Sequence, residues 1–151
     1  MPRRGQPASA GLSRKGTYVI DTAPKRLDAS AIRAFLNDSY WAKGRTLAQV
    51  RKSLKHSLCF GLYHGREQVG LARVITDYST FAYLCDVYVR KDHQGKGLGK
   101  RLVAHVLRSP ELRALKGMCL RTRDAHGLYR RFGFKTDKRT NRWMRLRRKA
   151  G

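Results

Sequence analysis

Acidic residues are scarce in this 151-residue sequence: Asp and Glu together number 10, against 34 Lys and Arg, for a formal net charge of +24. Such a field attracts polyanions, so nucleic acid, the ribosome and acidic protein surfaces are candidate partners. The excess is concentrated at the two ends, since residues 1–16 carry four cations and no acid and the chain finishes in RWMRLRRKAG. A basic surface that is merely solvated accounts equally well for this composition, and both interpretations stay open.

Cysteine is also scarce, with three residues in widely separated apolar runs: Cys59, Cys85 and Cys119. They form no C-x-x-C pair and their number is odd, which excludes a disulfide framework. The pattern is typical of reduced, packed thiols in a cytosolic protein. The histidines show no ligand spacing either, and we expect no metal site.

Long apolar runs are missing. No run approaches the roughly 20 residues needed to cross a bilayer, and residues 1–16 lack the central apolar segment of a secretory signal. We therefore expect no membrane contact and a cytoplasmic location. At this length, with 41% hydrophobic residues, the chain suits one domain over 17–151 behind a disordered basic tail over 1–16.

The hydrophobic periodicity predicts a mixed α/β chain in the order β-α-α-β-β-β-α-β-α-β-β. Helical spacing of apolar residues occurs at 27–36, 47–54, 98–107 and 124–132, the last with Asp124 as its cap. Strand character occurs at 17–21, 57–65, 66–76, 81–90, 117–122, 133–137 and 142–147. The second and third strands meet at His64-Gly65-Arg66, which is typical of a hairpin turn.

The segment HQGKGLGKRLV, residues 93–103, places glycines at 95, 97 and 99 between a predicted strand and a predicted helix. Glycine lets the backbone approach a ligand closely, and the free amides at a helix N-terminus suit a phosphate group. Two familiar phosphate loops are excluded. The dinucleotide pattern G-x-G-x-x-G requires glycine at Lys100 or Leu102, and the P-loop requires glycine at Gln94 and Ser or Thr at Arg101.

The segment instead resembles the Q-x-x-G-x-G loop of the GCN5-related N-acetyltransferase (GNAT) superfamily, starting at Gln94. The preceding strand ends in Val87-Tyr88-Val89, and about thirty residues after the loop LYRRFGF is similar to the superfamily's F-Y-x-x-x-G-F element. The resemblance covers roughly residues 17–147, and SYW, TDY-x-TFAYL-x-DV and DAHGLY resemble a narrower bacterial group of small acetyltransferases. It implies a mixed, mostly antiparallel sheet flanked by helices and splayed at the acyl-CoA site. It also implies acetyl-CoA as co-substrate and direct acetyl transfer to a primary amine of a small molecule, an amino acid or a peptide.

The resemblance further implies which residues hold the cofactor. Loop amides would bind the pyrophosphate, and the main chain of the splayed strand would pair with the pantetheine arm at a bulge, as an added strand. Lys96, Lys100 and Arg101 would add charge, although each could equally be an ordinary helix-surface cation. Thr122 stands where relatives often carry an Asn that touches the cofactor. The implied cofactor-binding residues are Val87, Tyr88, Val89, Gln94, Gly95, Lys96, Gly97, Leu98, Gly99, Lys100 and Thr122.

Tyr129 is the implied general acid, which would protonate the leaving thiolate, although on its helix it could also be a buried aromatic with a satisfied hydroxyl. The general base stays open. Many relatives carry Glu on the splayed strand where this chain has Cys85, and a thiol is a poor substitute at neutral pH. The remaining base candidates, some acting through water, are Tyr40, Asp77, Tyr78, Asp86 and His126.

The acceptor pocket is expected between the first two helices and the end of the hairpin strands. Tyr40 and Trp41 are adjacent, so one of them should face the pocket, although Trp41 could instead be a core residue. Asp77 could pair with a cationic amine. Asp86 is a further substrate candidate, and a structural role in pinning its strand fits it at least as well.

Three functions therefore compete. The first is the acetyl-CoA-dependent N-acetyltransferase described above. The second is the same chemistry on an RNA-linked or ribosomal target, which the charge of +24 motivates. The third is a nonenzymatic acyl-CoA-binding module, which Cys85 at the usual position of the base motivates. Dimers are common among similar enzymes, so a homodimer is a further expectation.

Overall fold

A computed structural model describes residues 17–149 of the protein. The predicted disordered tail at 1–16 lies outside these residues. The chain divides into two compact units, one ending at Arg121 and one beginning at Thr122. That 17–151 forms a single domain stays a prediction.

Over residues 17–121 the chain forms a five-stranded sheet and three α-helices. The strands are β1 (Tyr18–Asp21), β2 (Leu58–His64), β3 (Glu67–Thr76), β4 (Ala82–Val89) and β5 (Cys119–Leu120). The helices are α1 (Ala29–Asn37), α2 (Leu47–Lys55) and α3 (Leu98–Leu107). The strand order is β1-β2-β3-β4-β5, antiparallel throughout except for the parallel pair of β4 and β5. This mixed, mostly antiparallel sheet with flanking helices confirms the predicted fold class.

Helices cover both faces of the sheet. β3 is buried continuously over 68–74, so both of its faces lie in the core. On one face α1 and α2 form a cluster with Cys59 and Leu71, and on the other α3 places the ring of His105 6.0 Å from that of Phe60. Because Cys59 and Phe60 are consecutive on β2, their side chains point to opposite faces. A three-layer arrangement follows from ordinary strand alternation.

Local sequence signals set the helix starts and the hairpin. The Asp28 carboxylate caps α1 by accepting a hydrogen bond from the Ala31 N–H, and Thr46 with Gln49 forms a capping box on α2. Gly65, in the turn between β2 and β3, has a φ of 61°. The left-handed backbone there suits glycine, and the predicted hairpin is confirmed.

The second unit, described over residues 122–149, contains one short helix, α4 (His126–Arg130), and a 3₁₀ turn at Thr140–Arg142. No strand occurs in these residues, so the strands predicted at 133–137 and 142–147 are wrong. The predicted cap Asp124 is also wrong, because α4 begins after Ala125, whose N–H donates to the Thr122 hydroxyl at 2.9 Å. Alternating apolar residues do not suffice for a strand, since its backbone groups need a neighbouring strand as partner.

The expectations about membranes and metals concern the helices and the His, Cys, Asp and Glu side chains. Between residues 17 and 149, no helix is long and apolar enough to span a membrane. Nor does that part of the chain gather three His, Cys, Asp or Glu side chains closely enough to hold a metal ion.

Candidate functional site

β4 contains a bulge at Asp86. Between the paired residues Cys85 and Tyr88, two residues of β4 stand opposite a single residue of β3, Ala72. Asp86 itself has a φ of 48°, in the left-handed region that residues other than glycine rarely adopt. The resemblance implied a bulge on this strand, and the structure has one.

Among residues 17–149, β5 pairs with β4 only at Tyr83 and Leu84. Beyond the bulge, β4 therefore has no strand partner on the side of β5 in this part of the chain, and we call this side of β4 the open edge. The Arg90 N–H donates to the Val69 carbonyl at 2.7 Å, so the backbone of Arg90 faces β3. Backbone groups alternate in direction along an antiparallel strand, and those of Val89 therefore face the open edge. The main chain at 87–89 is thus placed beside the open edge, where the Val89 N–H faces an added strand and the Val89 carbonyl already accepts a hydrogen bond from the Gln94 side chain at 2.8 Å.

The glycine loop connects β4 to α3. Gly95 and Gly97 have φ values of 80° and 74°, which only glycine adopts readily. The first helical hydrogen bond runs from the Arg101 N–H to the Gly97 carbonyl at 3.1 Å, and α3 has no side-chain cap. In the part of the chain that the structure describes, the N–H groups of residues 95–100 have no hydrogen-bond acceptor. A row of amide donors therefore remains available at the positive end of α3.

Gly99 differs from the other two glycines of the loop. Its φ is not left-handed, and a Cβ built on it would meet no atom within 4 Å. Neither backbone conformation nor packing within the protein therefore requires glycine at this position. A ligand that lies against the start of α3 would need the space that a side chain at position 99 would otherwise fill. The free space and the amide donors together fit the pyrophosphate of an acyl-CoA. The Gln94 side-chain amide donates to the Val89 carbonyl at 2.8 Å and so connects the loop to the open strand.

β1 holds the loop through Tyr18. The Tyr18 hydroxyl lies 2.7 Å from Nδ1 of His93 and accepts a hydrogen bond from Nζ of Lys96 at 3.1 Å. Nη2 of Arg101 donates to the Tyr18 carbonyl at 3.3 Å. Two of the three predicted loop cations thus contact β1, whereas Lys100 is exposed. Sequence reasoning missed Tyr18 and His93, which are 75 positions apart and share no motif.

The Asp86 carboxylate is buried among three donors. Its Oδ2 accepts hydrogen bonds from Nη1 of Arg45 and Nε of Arg73, each at 2.8 Å, and its Oδ1 accepts one from Nε1 of Trp41 at 2.9 Å. Burial raises the pKa of Asp86, but Arg73 and Arg45 together outweigh burial and hold this pKa below its ordinary value. Two predicted substrate residues, Trp41 and Asp86, therefore contact each other. Because both carboxylate oxygens of Asp86 accept hydrogen bonds from the protein itself, these contacts favour the structural role, in which Asp86 pins its strand.

The other two predicted substrate residues lie on exposed segments. Tyr40 is 46% exposed, and its ring packs edge to face on Trp41 with centroids 5.1 Å apart. Asp77 accepts hydrogen bonds from the Thr80 hydroxyl and from the N–H groups of residues 79–81. These bonds, the Thr80 hydroxyl first, hold the pKa of Asp77 below its usual range, so its carboxylate is a weak base. Asp77 therefore stabilises its own turn.

Cys85, at the position where the resemblance implied a Glu base, lies on β4 directly before the bulge. Burial raises the pKa of its thiol to about 11, so the thiol stays protonated near neutral pH and does not serve as a general base. Of the remaining base candidates, Tyr78 is 48% exposed and His126 is the first residue of α4. The geometry singles out none of them as the base.

In the second unit, Tyr129 lies on α4 and is 8% exposed. Its ring packs edge to face on Phe134 with centroids 5.7 Å apart, and the Phe134 N–H donates to the Tyr129 carbonyl at 3.3 Å. The Thr122 hydroxyl accepts the Ala125 N–H and so acts at the start of α4. The roles of Tyr129 as general acid and Thr122 as cofactor contact stay predictions.

The expected acceptor pocket can be compared with a surface depression on α1. The depression has a volume of about 250 Å³ and is lined by Ser30, Arg33, Ala34, Asn37 and Leu47. These residues belong to the first two helices, as expected for the pocket, but the lining includes none of the four substrate candidates Tyr40, Trp41, Asp77 and Asp86. The depression therefore does not identify the acceptor.

Known proteins share this arrangement. Residues 55–136, more than half of the chain, match the family model described as the acetyltransferase (GNAT) domain. The crystal structure of a candidate acetyltransferase of the GNAT family from Xanthomonas campestris pv. campestris is 42% identical, with a TM-score of 0.83, and the match covers 87% of this chain and 93% of that one. The matched residues include the bulge, the glycine loop and α4. The fold is thus that of an acetyltransferase, and the chain belongs to the GNAT acetyltransferase family.

Two curated relatives are more distant. A Gibberella zeae protein described as a candidate acetyltransferase is 38% identical over 106 residues, 57% of this chain and 60% of that protein. A Glycine max protein named a histone acetyltransferase is 28% identical over 132 residues, 79% of this chain and 57% of that protein. The chain thus matches about three fifths of the length of each of these relatives.

Proposed function

We propose that the protein is an acetyl-CoA-dependent N-acetyltransferase that moves an acetyl group to a primary amine of a small molecule, an amino acid or a peptide. The observation that carries this proposal is the row of amides at 95–100 that have no acceptor among the described residues, next to the open edge of β4. Membership of the GNAT family supports it, because acetyl-CoA is the acetyl donor of that family.

The proposal gives each cofactor-binding segment a task. The amides of 95–100 bind the pyrophosphate at the positive end of α3, and Lys96, Lys100 and Arg101 add charge. The main chain at 87–89 pairs with the pantetheine arm as an added strand. Thr122 is the remaining proposed contact. When bound, acetyl-CoA supplies an activated thioester.

Acetyl transfer forms a bond between the amine nitrogen and the acetyl carbon and breaks the bond between that carbon and sulfur. The Tyr129 phenol donates its proton to the departing sulfur. The amine passes its proton to water, since the Cys85 thiol is protonated and the Asp86 carboxylate is held by three donors. The Tyr129 phenolate then takes a proton back from water, so that no net proton is gained or lost by the protein. Positioning of the two reactants provides much of the rate.

Isothermal titration with coenzyme A, followed by a thiol-release assay with acetyl-CoA and a panel of primary amines, tests the proposal. We expect binding in the micromolar range, roughly 8 kcal/mol, and thiol release with at least one amine. Absence of binding would count decisively against the proposal. Binding without thiol release across a broad panel would favour the nonenzymatic acyl-CoA-binding module.

A second candidate function is acetyl transfer to an RNA-linked or ribosomal target. It is motivated by the stretch at 138–149, which contains seven Lys and Arg, together with Trp143 at 67% and Leu146 at 81% exposure. Cations interleaved with exposed aromatic and apolar side chains suit a nucleic-acid strand. Its test is RNA affinity over a salt series, for which a steep loss of affinity with rising salt is expected.

The oligomeric state and the location are separate proposals. We propose a homodimer in solution, which sedimentation of the full chain would test, and a cytoplasmic location. The proposed cofactor site does not require a dimer, because the bulge, the open edge and the glycine loop all lie within one copy of the chain.

A further inference from the structure

The bulge residue Asp86 combines an unfavourable backbone with a fully engaged side chain. Its φ of 48° is one that a residue with a side chain adopts only when its surroundings over-determine it. Only 1% of its side-chain surface is exposed, and three donors bind its carboxylate. The side-chain contacts therefore hold the backbone of the bulge in place.

The three donors come from two different parts of the fold. Arg73 lies on β3, next to the bulge, and is itself buried. Trp41 and Arg45 lie on the loop between α1 and α2, residues 38–46, and are 45 and 41 positions away from Asp86 in sequence. One carboxylate thus binds both the sheet and the loop that precedes α2.

The loop at 38–46 is otherwise fastened mainly to α1. The Gly44 N–H donates to the Asn37 side chain at 3.2 Å, and the Ser39 hydroxyl donates to the Leu36 carbonyl at 2.6 Å. Nε of Arg33 donates to the Arg45 carbonyl at 3.3 Å. Trp41 and Arg45 connect this loop to β4 by their hydrogen bonds to Asp86, and Ala42 belongs to the same core cluster as Tyr88.

We propose that Asp86 is a positioning residue that couples the loop at 38–46 to the backbone of β4 at 87–89. When the loop releases Asp86, the bulge loses donors that hold its left-handed backbone, and the strand edge beyond it loses its order. When a ligand pairs with that edge as an added strand, the bulge and the loop at 38–46 both become ordered. The link to cofactor binding rests on the proposed function, whereas the coupling of loop and strand does not.

Arg45→Met is the principal test variant, because the Arg45 side chain is 30% exposed and its loss leaves the buried Arg73–Asp86 pair intact. Arg51→Met, on the exposed face of α2, is the matched control, and Arg45→Lys retains the charge. Hydrogen exchange of the free protein is the readout. We expect peptides covering 82–90 to exchange at least about threefold faster in Arg45→Met, with partial rescue in Arg45→Lys. Unchanged exchange at 82–90 would overturn the coupling.

Trp41 fluorescence gives an independent readout. In a Trp143→Phe background, Trp41 is the sole tryptophan and reports the contact with Asp86. Coenzyme A should change the Trp41 emission of the Trp143→Phe protein, although the expected contacts of coenzyme A lie on 87–89 and 94–100. In the double variant Trp143→Phe/Arg45→Met, the change in emission should be far smaller. An emission change of equal size in both proteins, at a coenzyme A concentration that saturates each of them, would overturn the coupling.

Calorimetry separates the two proposals. Arg45→Met should bind coenzyme A roughly threefold to tenfold more weakly than wild type, because the strand edge is less preorganised, while Arg51→Met binds as wild type. Equal affinities of Arg45→Met and wild type would overturn the link between the coupling and cofactor binding, and would leave the proposed function standing. If wild type itself fails to bind, the proposed function fails, and exchange at 82–90 still decides the coupling.

Discussion

The hydroxyl of Tyr18 lies 2.7 Å from Nδ1 of His93, across 75 positions of sequence. The same hydroxyl accepts a hydrogen bond from Lys96, so a single phenol on the first strand contacts residues on both sides of Gln94. His93 is 8% exposed and ends the turn that leads into the glycine loop. β1 therefore supports the loop from which the proposed function is argued.

Tyr18→Phe should weaken this support without changing the fold. Loss of the hydroxyl leaves a buried His93 nitrogen without its partner, which costs about 1 to 3 kcal/mol of unfolding free energy. Coenzyme A should bind more weakly, because Lys96 loses the contact that orients it. Urea unfolding and calorimetry measure the two effects. Tyr78→Phe, at a 48% exposed position, is the stability control, and equal stability of the two variants would contradict the role of Tyr18.

Gly99→Ala should separate cofactor binding from folding. The added Cβ meets no protein atom within 4 Å, so stability should stay the same or rise by up to about 1 kcal/mol, as for Gly to Ala in a helix. Coenzyme A affinity should fall by roughly tenfold or more, since the methyl group takes the space proposed for the pyrophosphate. Gly117→Ala, which also meets no protein atom, is the matched control. Undiminished coenzyme A affinity in Gly99→Ala would place the ligand elsewhere.

Asp86→Asn should destabilise the protein in a pH-dependent way. At neutral pH it leaves the buried Arg73 without its charged partner, and we expect a loss of about 3 to 5 kcal/mol. The pKa of Asp86 is lower in the folded than in the unfolded chain, so its stabilising effect is complete above the unfolded value of about 3.9 and disappears as the pH falls through the folded value.

Urea unfolding at neutral and at acid pH tests whether the stabilising effect of Asp86 decreases as the pH falls. The difference between wild type and Asp86→Asn should shrink in acid, where both carry an uncharged side chain at position 86. Asp38→Asn, at an exposed position, controls for the general effect of removing an acid. A difference that stays constant down to acid pH would mean that the charge of Asp86 is not what stabilises the bulge.

Tyr129→Phe should slow turnover and leave coenzyme A binding unchanged. General acid catalysis contributes typically 10²-fold or more, so we expect kcat to fall by about that factor with an amine that gives thiol release in the panel. Turnover equal to wild type would remove Tyr129 from the proposed chemistry.

Some elements were predictable because their signals are local. Gly95 and Gly97 adopt left-handed backbones, Thr46 and Gln49 form a capping box, and Gly65 forms the hairpin turn. Each depends on residues only a few positions apart. The strands predicted at 133–137 and 142–147 failed because a strand also needs a partner, and alternation within one segment does not supply it.

The candidate site was predictable in part. The glycine loop was identified from its motif, and the bulge on β4 from the resemblance that the motif supports. The sequence did not decide whether the Asp86 side chain faces a substrate or the protein. Side chains alternate between the two faces of a strand, and the sequence pattern does not predict at which residue a bulge reverses that alternation. Arg45 and Arg73 were missed altogether, since in a chain with 34 Lys and Arg nothing marks two of them as partners of one carboxylate.

The sequence by itself determined the fold class, the superfamily resemblance and the loop whose amides are left free, because glycine conformation, helix capping and strand alternation act over a few neighbouring residues. Only the tertiary structure decided that Tyr18 supports that loop and that Asp86 joins β4 to the loop before α2. Those contacts link residues 75 and 41 positions apart. Burial in a packed core selects such partners, and no local pattern of residues encodes which distant side chain will arrive there.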